Sequence, residues 1–286
     1  MSEDGLHIQW YPGHMAKARR MMEENAKLVD IICEIADARI PVSSRNPELD
    51  SIAANKPRLL ILNRIDLADP EVTSLWRTRY THDNIPVLET NCKSGKGIRE
   101  FTSAARGVLS EKLLELRAKG QAGRPIRAMV VGIPNVGKSS FINRLAKRNV
   151  AATADKPGLT RGKQWITVDK GLELLDTPGL LWPKLEGDRT AENLAFTGAI
   201  KNEIIDRETL AFRLMKRLSI EYPRLLETRY KIDFSGQAEG WELLERAARK
   251  RGFIVSGGQA DTERMANILL DEFRGGIIGR ITLERP

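Results

Sequence analysis

Gly132-Ile-Pro-Asn-Val-Gly137-Lys138-Ser139 decides how this chain is read. It fits the spacing GxxxxGK[ST], and it follows the apolar run Ala128–Val131 and opens an amphipathic stretch from Gly137 to Ala146. Glycines in such a turn let backbone amides curl around a β-phosphate, and the start of the following helix adds a favourable dipole. In that geometry Lys138 neutralises the β- and γ-phosphates, and the Ser139 hydroxyl ligates magnesium. The expected nucleotide-binding run is Pro134, Asn135, Val136, Gly137, Lys138, Ser139 and Ser140. The competing reading is a chance match in a strand-to-helix turn, and the flanking periodicity argues against it.

Further motifs lie on either side of this turn. Downstream, Leu174-Leu-Asp176-Thr-Pro-Gly179 reads as a strand ending in DxxG, about 40 residues after the P-loop. Asp176 is expected to hold magnesium through a water, and the Gly179 amide to sense a γ-phosphate. Between the two, Lys156-Pro-Gly-Leu-Thr160-Arg-Gly offers a loop whose Thr160 closes over magnesium through its hydroxyl; the alternative is a solvated turn threonine. Upstream, Leu60-Ile-Leu-Asn63-Arg64-Ile-Asp66 is an apolar strand followed by Asn-x-x-Asp. The Asp66 carboxylate can accept from guanine N1–H and the exocyclic amine, a donor pair that adenine lacks. Asn63 is expected to tie the base loop to the P-loop side. Arg64 stands where such sites usually carry Lys, with an aliphatic stem able to cover the base. The same stretch also reads as an Asx turn with Asp66 or Asp69 capping the next helix. Thr90-Asn91-Cys92-Lys93-Ser94-Gly95 follows another strand, in the place of a loop that meets guanine O6 by a backbone amide.

The order of the motifs is the strongest single signal. GTPases ordinarily run P-loop, threonine loop, DxxG, then Asn-Lys-x-Asp, whereas here the base loops at 63–66 and 91–93 precede the P-loop at 132–139. The fold expected is α/β, a circularly permuted P-loop GTPase fold whose mostly parallel sheet carries helices on both faces. Strands are expected at Val29–Ala36, Arg58–Leu62, Val87–Glu89, Arg127–Val131, Gln164–Val168 and Leu172–Leu175. Asp169-Lys-Gly171 reads as a hairpin turn that makes one edge antiparallel. Helices are expected at Arg45–Asn55, Pro70–Tyr80, Gly97–Leu116 and Gly137–Ala146, and Ala118–Pro125 reads as a surface connector. From about Pro183 the pattern turns helical throughout, with Leu210, Leu214 and Leu218, then Leu243, Leu244 and Ala247, at three-four spacing. Two domains follow, 1–184 for the GTPase fold and 185–286 for an all-α domain. DxxG thereby becomes the last GTPase element before the helical domain, so gain or loss of γ-phosphate is expected to act on that connection.

Composition agrees with a globular chain of this kind. The 286 residues are 41% hydrophobic and 29% charged, and no apolar run approaches membrane-helix length. The opening Met1-Ser-Glu-Asp4 suits neither a secretory signal nor a transit peptide. Cys33 and Cys92 lack metal-ligand spacing and point to a reducing compartment. Net charge is +8, compatible with a polyanionic partner.

On these motifs, and on Gln9-Trp-Tyr-Pro-Gly-His14-Met-Ala-Lys17-Ala, Asp37-Ala-Arg39-Ile-Pro41 and Phe273-Arg-Gly-Gly276, the chain resembles the circularly permuted, ribosome-assembly GTPases over nearly its whole length. The resemblance implies a cytoplasmic, GTP-hydrolysing factor of late large-subunit (50S) assembly, slow alone and stimulated by the subunit. Its implied partners are GTP/GDP and the large subunit with its rRNA, not DNA or a membrane. Arg64 departs from the family's usual Lys. Leu180 and Leu181 stand where Ras-like GTPases place a water-orienting Gln. The resemblance offers two substitutes. Asn135 is a potassium ligand or merely caps its loop; His14, in a Pro-Gly turn, is a catalytic or water-positioning residue or a structural surface one. Lys17, Arg19 and Arg20 beside Trp10 and Tyr11 form one candidate RNA contact. Arg246, Arg249, Lys250 and Arg251, with Arg213, Lys216 and Arg217, form a second; either set alone also reads as a solvated helix face. Rival functions are a protein-binding guanine-nucleotide switch, a P-loop ATPase or kinase, which Asp66 opposes, and a nucleotide-binding scaffold without turnover.

Overall fold

All seven residues of β1, Ile31–Asp37, are buried, which requires cover on both faces of the sheet they centre. The computed structural model describes residues 12–52, 56–121, 123–147, 165–169, 171–176, 188–200, 206–233 and 238–286. It divides into two units, Gln9–Lys184 with Glu284–Pro286, and Leu185–Leu283.

In the first unit, β1 is joined by β2 (Arg58–Asn63), β3 (Val87–Glu89), β4 (Ile126–Gly132), β5 (Trp165–Asp169) and β6 (Leu172–Asp176) in the order β3-β2-β1-β4-β6-β5. Every pairing is parallel except β5 with β6. The antiparallel edge turns at Gly171, whose φ of 99° is left-handed, as the hairpin reading expected. Ile32 packs with Met22, Ala26 and Leu49, and Ala36 with Leu60, Leu62, Val72 and Trp76. Around these strands run α1 (Pro12–Ala26), α2 (Leu49–Ile52), α3 (Pro70–His82), α4 (Phe101–Val108), α5 (Ser110–Ala118) and α6 (Lys138–Lys147). Phe101 of α4 meets Phe141 of α6 edge-on with ring centroids 5.2 Å apart. Glu284 reaches the turn after β1, where its carboxylate accepts from the Val42 and Ser43 amides, while its carbonyl accepts from Trp76 Nε1 at 2.8 Å.

Three helix expectations need correction. The stretch Arg45–Asn55 is helical at Leu49–Ile52 alone among its described residues, because buried Glu34 takes Arg45 Nε at 3.0 Å and the Asn46 amide at 2.8 Å and holds that chain in a turn. Gly97–Leu116 is two helices that break at Leu109. His14 sits in the first turn of α1, not in an isolated Pro-Gly turn, since Pro is tolerated where helix amides have no partner.

The second unit is helical: α7 (Asp188–Phe196), α8 (Arg207–Glu221), α9 (Pro223–Tyr230), α10 (Gly240–Lys250) and α11 (Thr262–Gly275). Leu210, Leu214 and Leu218 of α8 and Leu243, Leu244 and Ala247 of α10 are all buried. A Cβ on Gly240 would lie 2.0 Å from the Phe212 carbonyl oxygen, so glycine there sets how closely α10 approaches α8. Among the described residues no helix is long and apolar enough to cross a membrane.

Candidate nucleotide-binding site

From β1 the chain winds outward through β2 and β3; from β4 it winds the other way through β6. Such a sheet opens a ligand crevice at the carboxyl ends of its strands, where the winding reverses. Gly132 ends β4 opposite Ile35, and Asn63 ends β2 opposite Asp37, so P-loop and base loop emerge side by side.

The P-loop is packed from below. Ile133 and Val136 are buried, and Phe141, Ile142 and Leu145 anchor α6. A Cβ on Gly132 would sit 2.9 Å from the Ile35 carbonyl oxygen. Gly137 carries φ of 98°, and a Cβ there would stand 2.4 Å from Asn63 Nδ2. Gly137 is thus demanded by its backbone and its neighbour together, and Gly132 by the close approach of its neighbour. Lys138 is 8% exposed at the first turn of α6, while Ser139 and Ser140 are exposed beside it. Pro134 is half-buried and Asn135 exposed, the latter with a left-handed φ of 59°.

Asn63 joins three loops. Its Nδ2 donates to the Val136 carbonyl at 2.9 Å, the tether expected between base loop and P-loop. Its Oδ1 accepts from Thr90 Oγ1 and Cys92 Sγ, each at 3.2 Å. Burial pushes the Cys92 thiol up to about 11, which keeps it protonated and donating at neutral pH. In the 91–96 loop, Asn91 Oδ1 accepts from the Lys93 and Ser94 amides at 2.7 and 3.1 Å. The Cys92 amide meets no acceptor among the described residues.

Arg64 spans the same gap. Its guanidinium donates to the Asn135 carbonyl and lies 3.6 Å from the Asp37 carboxylate. Sequence reading assigned its stem to the base and missed this reach across the P-loop. It also missed Asp37 and Arg39 as parts of the site's frame. Arg39 is fully buried, and Asp37 accepts from its amide, Nε and Nη2 at 3.0, 3.0 and 2.7 Å. Burial alone would raise the Asp37 carboxyl; the charges of Arg39 and Arg64 and the Arg39 hydrogen bonds outweigh it and hold the group below the usual carboxylate range. The available signal was Asp-x-Arg directly after an apolar strand. The capping alternative is decided by geometry: Asp69 caps α3, accepting from the Glu71 and Val72 amides at 2.9 and 3.3 Å. Asp66 stays half-buried outside that cap.

The other expected residues are dispersed or undescribed. Thr160 and Gly179 lie outside the described residues, as do the side chains of His14, Lys17 and Asp176. The backbone of Asp176 ends β6 beside Val130 of β4, at the P-loop's edge of the sheet. The donor types suit magnesium, a hydroxyl and a carboxylate being the hard oxygen ligands it takes. Exposed Arg19 and Arg20 pair with Glu23 and Glu24 one turn on. Arg213, Lys216 and Arg217 have carboxylate partners in Glu192, Glu239 and Glu221. Arg251 is not a free surface cation: it lies over the Tyr230 ring and donates to buried Glu272 at 3.1 Å, a carboxylate that needs cations to be buried at all. Arg246, Arg249 and Lys250 remain exposed on α10, with Arg249 paired to Glu245.

A P-loop, a base loop with an uncapped aspartate and a reversed motif order on one parallel sheet define a circularly permuted P-loop GTPase. Residues 127–220 match the family described as 50S ribosome-binding GTPase, a span that starts at β4 and omits the upstream base loops, as the permuted order requires. The chain is 45% identical to ribosome biogenesis GTPase A of Bacillus licheniformis, over 98% of each, and 46% identical to that of Priestia megaterium, again over 98% of each. The crystal structure of GNP-bound YlqF from T. maritima, 27% identical, superposes with a TM-score of 0.63 over 94% of this chain and 98% of that one. This chain belongs to the ribosome biogenesis GTPase A family, and it is a GTPase.

Proposed function

We propose that this GTPase binds the large (50S) ribosomal subunit in the cytoplasm and promotes its late maturation, hydrolysing GTP as it does so. The observation that carries the reading is 45% identity over 98% of both chains to a ribosome biogenesis GTPase. A net charge of +8 suits an RNA-rich partner.

Within the site, Lys138 and the amides that open α6 bind the β- and γ-phosphates, and Asp66 selects guanine by accepting from its N1–H and amine. Asn63 and Arg64 hold base loop and P-loop at fixed separation. Ser139, Thr160 and Asp176 would hold magnesium and Asn135 would hold potassium, and when bound the two ions would offset the negative charge of the phosphates. With leucines following DxxG, His14 positions or deprotonates the attacking water once docking on the subunit moves its segment into the site. The N-terminal Lys17, Arg19 and Arg20, and Arg246, Arg249 and Lys250 of α10, contact rRNA, with Arg251 bracing that helix through Glu272. Turnover on the particle tests this reading. GTP hydrolysis is measured with and without purified large subunits, in potassium and then in sodium. Stimulation by the subunit, greater in potassium, is the expected result. No stimulation in either salt would leave a guanine-nucleotide switch with a protein partner, and the assembly reading would fall.

A further inference from the structure

The loop at 91–96, read from the sequence as the one that meets guanine O6, is closed on itself. The Asn91 amide donates to the Lys96 carbonyl at 2.9 Å, and the Gly95 amide to the Asn91 carbonyl at 2.8 Å. One end is held from β2, where the Cys92 thiol donates to the Asn63 side chain at 3.2 Å. The other end meets α6. A Cβ on Gly95, whose φ of 90° is left-handed, would stand 3.0 Å from Nη2 of Arg144, 3.4 Å from its Nε and 3.6 Å from its Cζ. The guanidinium itself, not only its aliphatic stem, therefore lies beside this end of the loop.

The helix is placed to do this. Arg144 lies three residues beyond Phe141 and so on the same face of α6. Phe141 packs edge-on against Phe101, which opens α4 shortly after the loop. Lys138 lies six residues before Arg144, about 9 Å along the helix axis. One rigid element thus carries the phosphate-binding lysine at its start and a guanidinium against the base loop further on. The charge of that guanidinium is felt in the loop as well: burial raises the Cys92 thiol, and Arg144 pulls against it ahead of Arg64.

We infer that Arg144 is a positioning residue of the guanine site, fixing the Gly95 end of the 91–96 loop as Asn63 fixes the Cys92 end. The inference rests on the guanine-binding reading proposed above. A loop held at both ends loses less conformational freedom when it closes on a base, so guanine binds more tightly although Arg144 does not touch it. The signal in the sequence is only a spacing on an amphipathic helix, an arginine six residues after Lys138.

The test replaces Arg144 in the full chain. Arg144→Met removes the guanidinium and keeps an unbranched, helix-forming stem, while Arg144→Lys keeps the charge without the fork. Each protein is titrated with GDP and with 6-thio-GDP, whose sulfur accepts poorly where guanine has O6, and the ratio of the two affinities is taken. That ratio is internal to each protein, so any change in folded fraction cancels from it. The parent should prefer GDP. In Arg144→Met, GDP should bind about fivefold more weakly and 6-thio-GDP should weaken by less than about twofold, which removes most of the preference. Arg144→Lys should fall between the two. An unchanged preference in Arg144→Met overturns the inference, whether neither nucleotide weakens or both weaken alike. A parent without preference for GDP would instead overturn the O6 reading of the loop, and the inference with it.

Discussion

Removing the Asn63 side chain tests whether base loop and P-loop are one mechanical unit. Asn63 is 2% exposed and makes three hydrogen bonds, to the Val136 carbonyl at 2.9 Å and from Thr90 Oγ1 and Cys92 Sγ at 3.2 Å. Thiol donors are weak, so the cost lies in the other two bonds. Asn63→Ala leaves a P-loop carbonyl and a fully buried Thr90 hydroxyl without this partner, at about 1–3 kcal/mol each, so an overall loss of about 2–6 kcal/mol in unfolding free energy is expected. About 1.4–2.8 kcal/mol of that should reappear in GDP affinity, a 10- to 100-fold weaker Kd, because nucleotide must then order the loop itself. Asn63→Asp separates the roles: it still accepts from Thr90 but sets an anion against the Val136 carbonyl, so its GDP affinity should fall at least as far. Urea unfolding without nucleotide gives the first quantity and calorimetric GDP titration the second. An alanine variant within about 0.5 kcal/mol of the parent, binding GDP within a factor of two, would refute the reasoning.

Gly137→Ala must move Asn63 Nδ2 from 2.4 Å and hold a left-handed φ of 98°, so GDP affinity should drop at least tenfold by titration. Asp66→Asn should shift preference from GTP toward XTP in competition binding, because an amide donates to the xanthine 2-oxo group where a carboxylate cannot. Asp69→Ala, by contrast, should cost about 1 kcal/mol of stability from the lost α3 cap and leave base preference alone. In the helical unit, burial would raise the Glu272 carboxyl, but hydrogen bonds from Arg229 and Tyr230 and the charge of Arg251 outweigh it and hold it low. A depressed carboxyl contributes stability above its unfolded pKa, and that contribution is lost as pH falls through the folded one. Acid titration of unfolding should therefore show a loss below the usual carboxylate range, and Glu272→Gln, less stable by about 2 kcal/mol at neutral pH, should converge on the parent there.

Most of the sheet was legible because its strands are continuous apolar runs: the expected Arg58–Leu62 and Val87–Glu89 differ from β2 and β3 by one residue at most. Motif order likewise told the permutation, since spacing survives in sequence whatever the tertiary path. Two of the misses share one physical origin, partners distant in sequence. Arg45 and Asn46 look helical locally, and only Glu34, a strand away, holds them in a turn. Arg251 looks like surface until Glu272 and Tyr230 pull it inward. The helix α1 is a different kind of miss: Arg19–Glu23 and Arg20–Glu24 pairs and buried Met22 and Ala26, each four residues apart, were there to be read.

Why one site tolerates two chain orders follows from the cost of closing loops. Joining β1 to β4 brings together Asp30 and Arg127, 97 residues apart, and joining β4 to β6 brings together Arg127 and Glu173, 46 apart. Closure entropy grows only as the logarithm of length, so the longer of these costs about 0.7 kcal/mol more than the shorter. That is less than one buried side-chain hydrogen bond of the Asn63 kind. The tether from Asn63 to Val136 spans 73 residues and is no dearer. Registered pairing, not connectivity, therefore places Asn63, Gly132 and Asp176 along one edge of the sheet. Reordering the chain leaves the phosphate and base contacts where they were. What it alters is the element that follows β6, because the strand ending at Asp176 becomes the last of the GTPase sheet, and the chain beyond it continues into the helical unit.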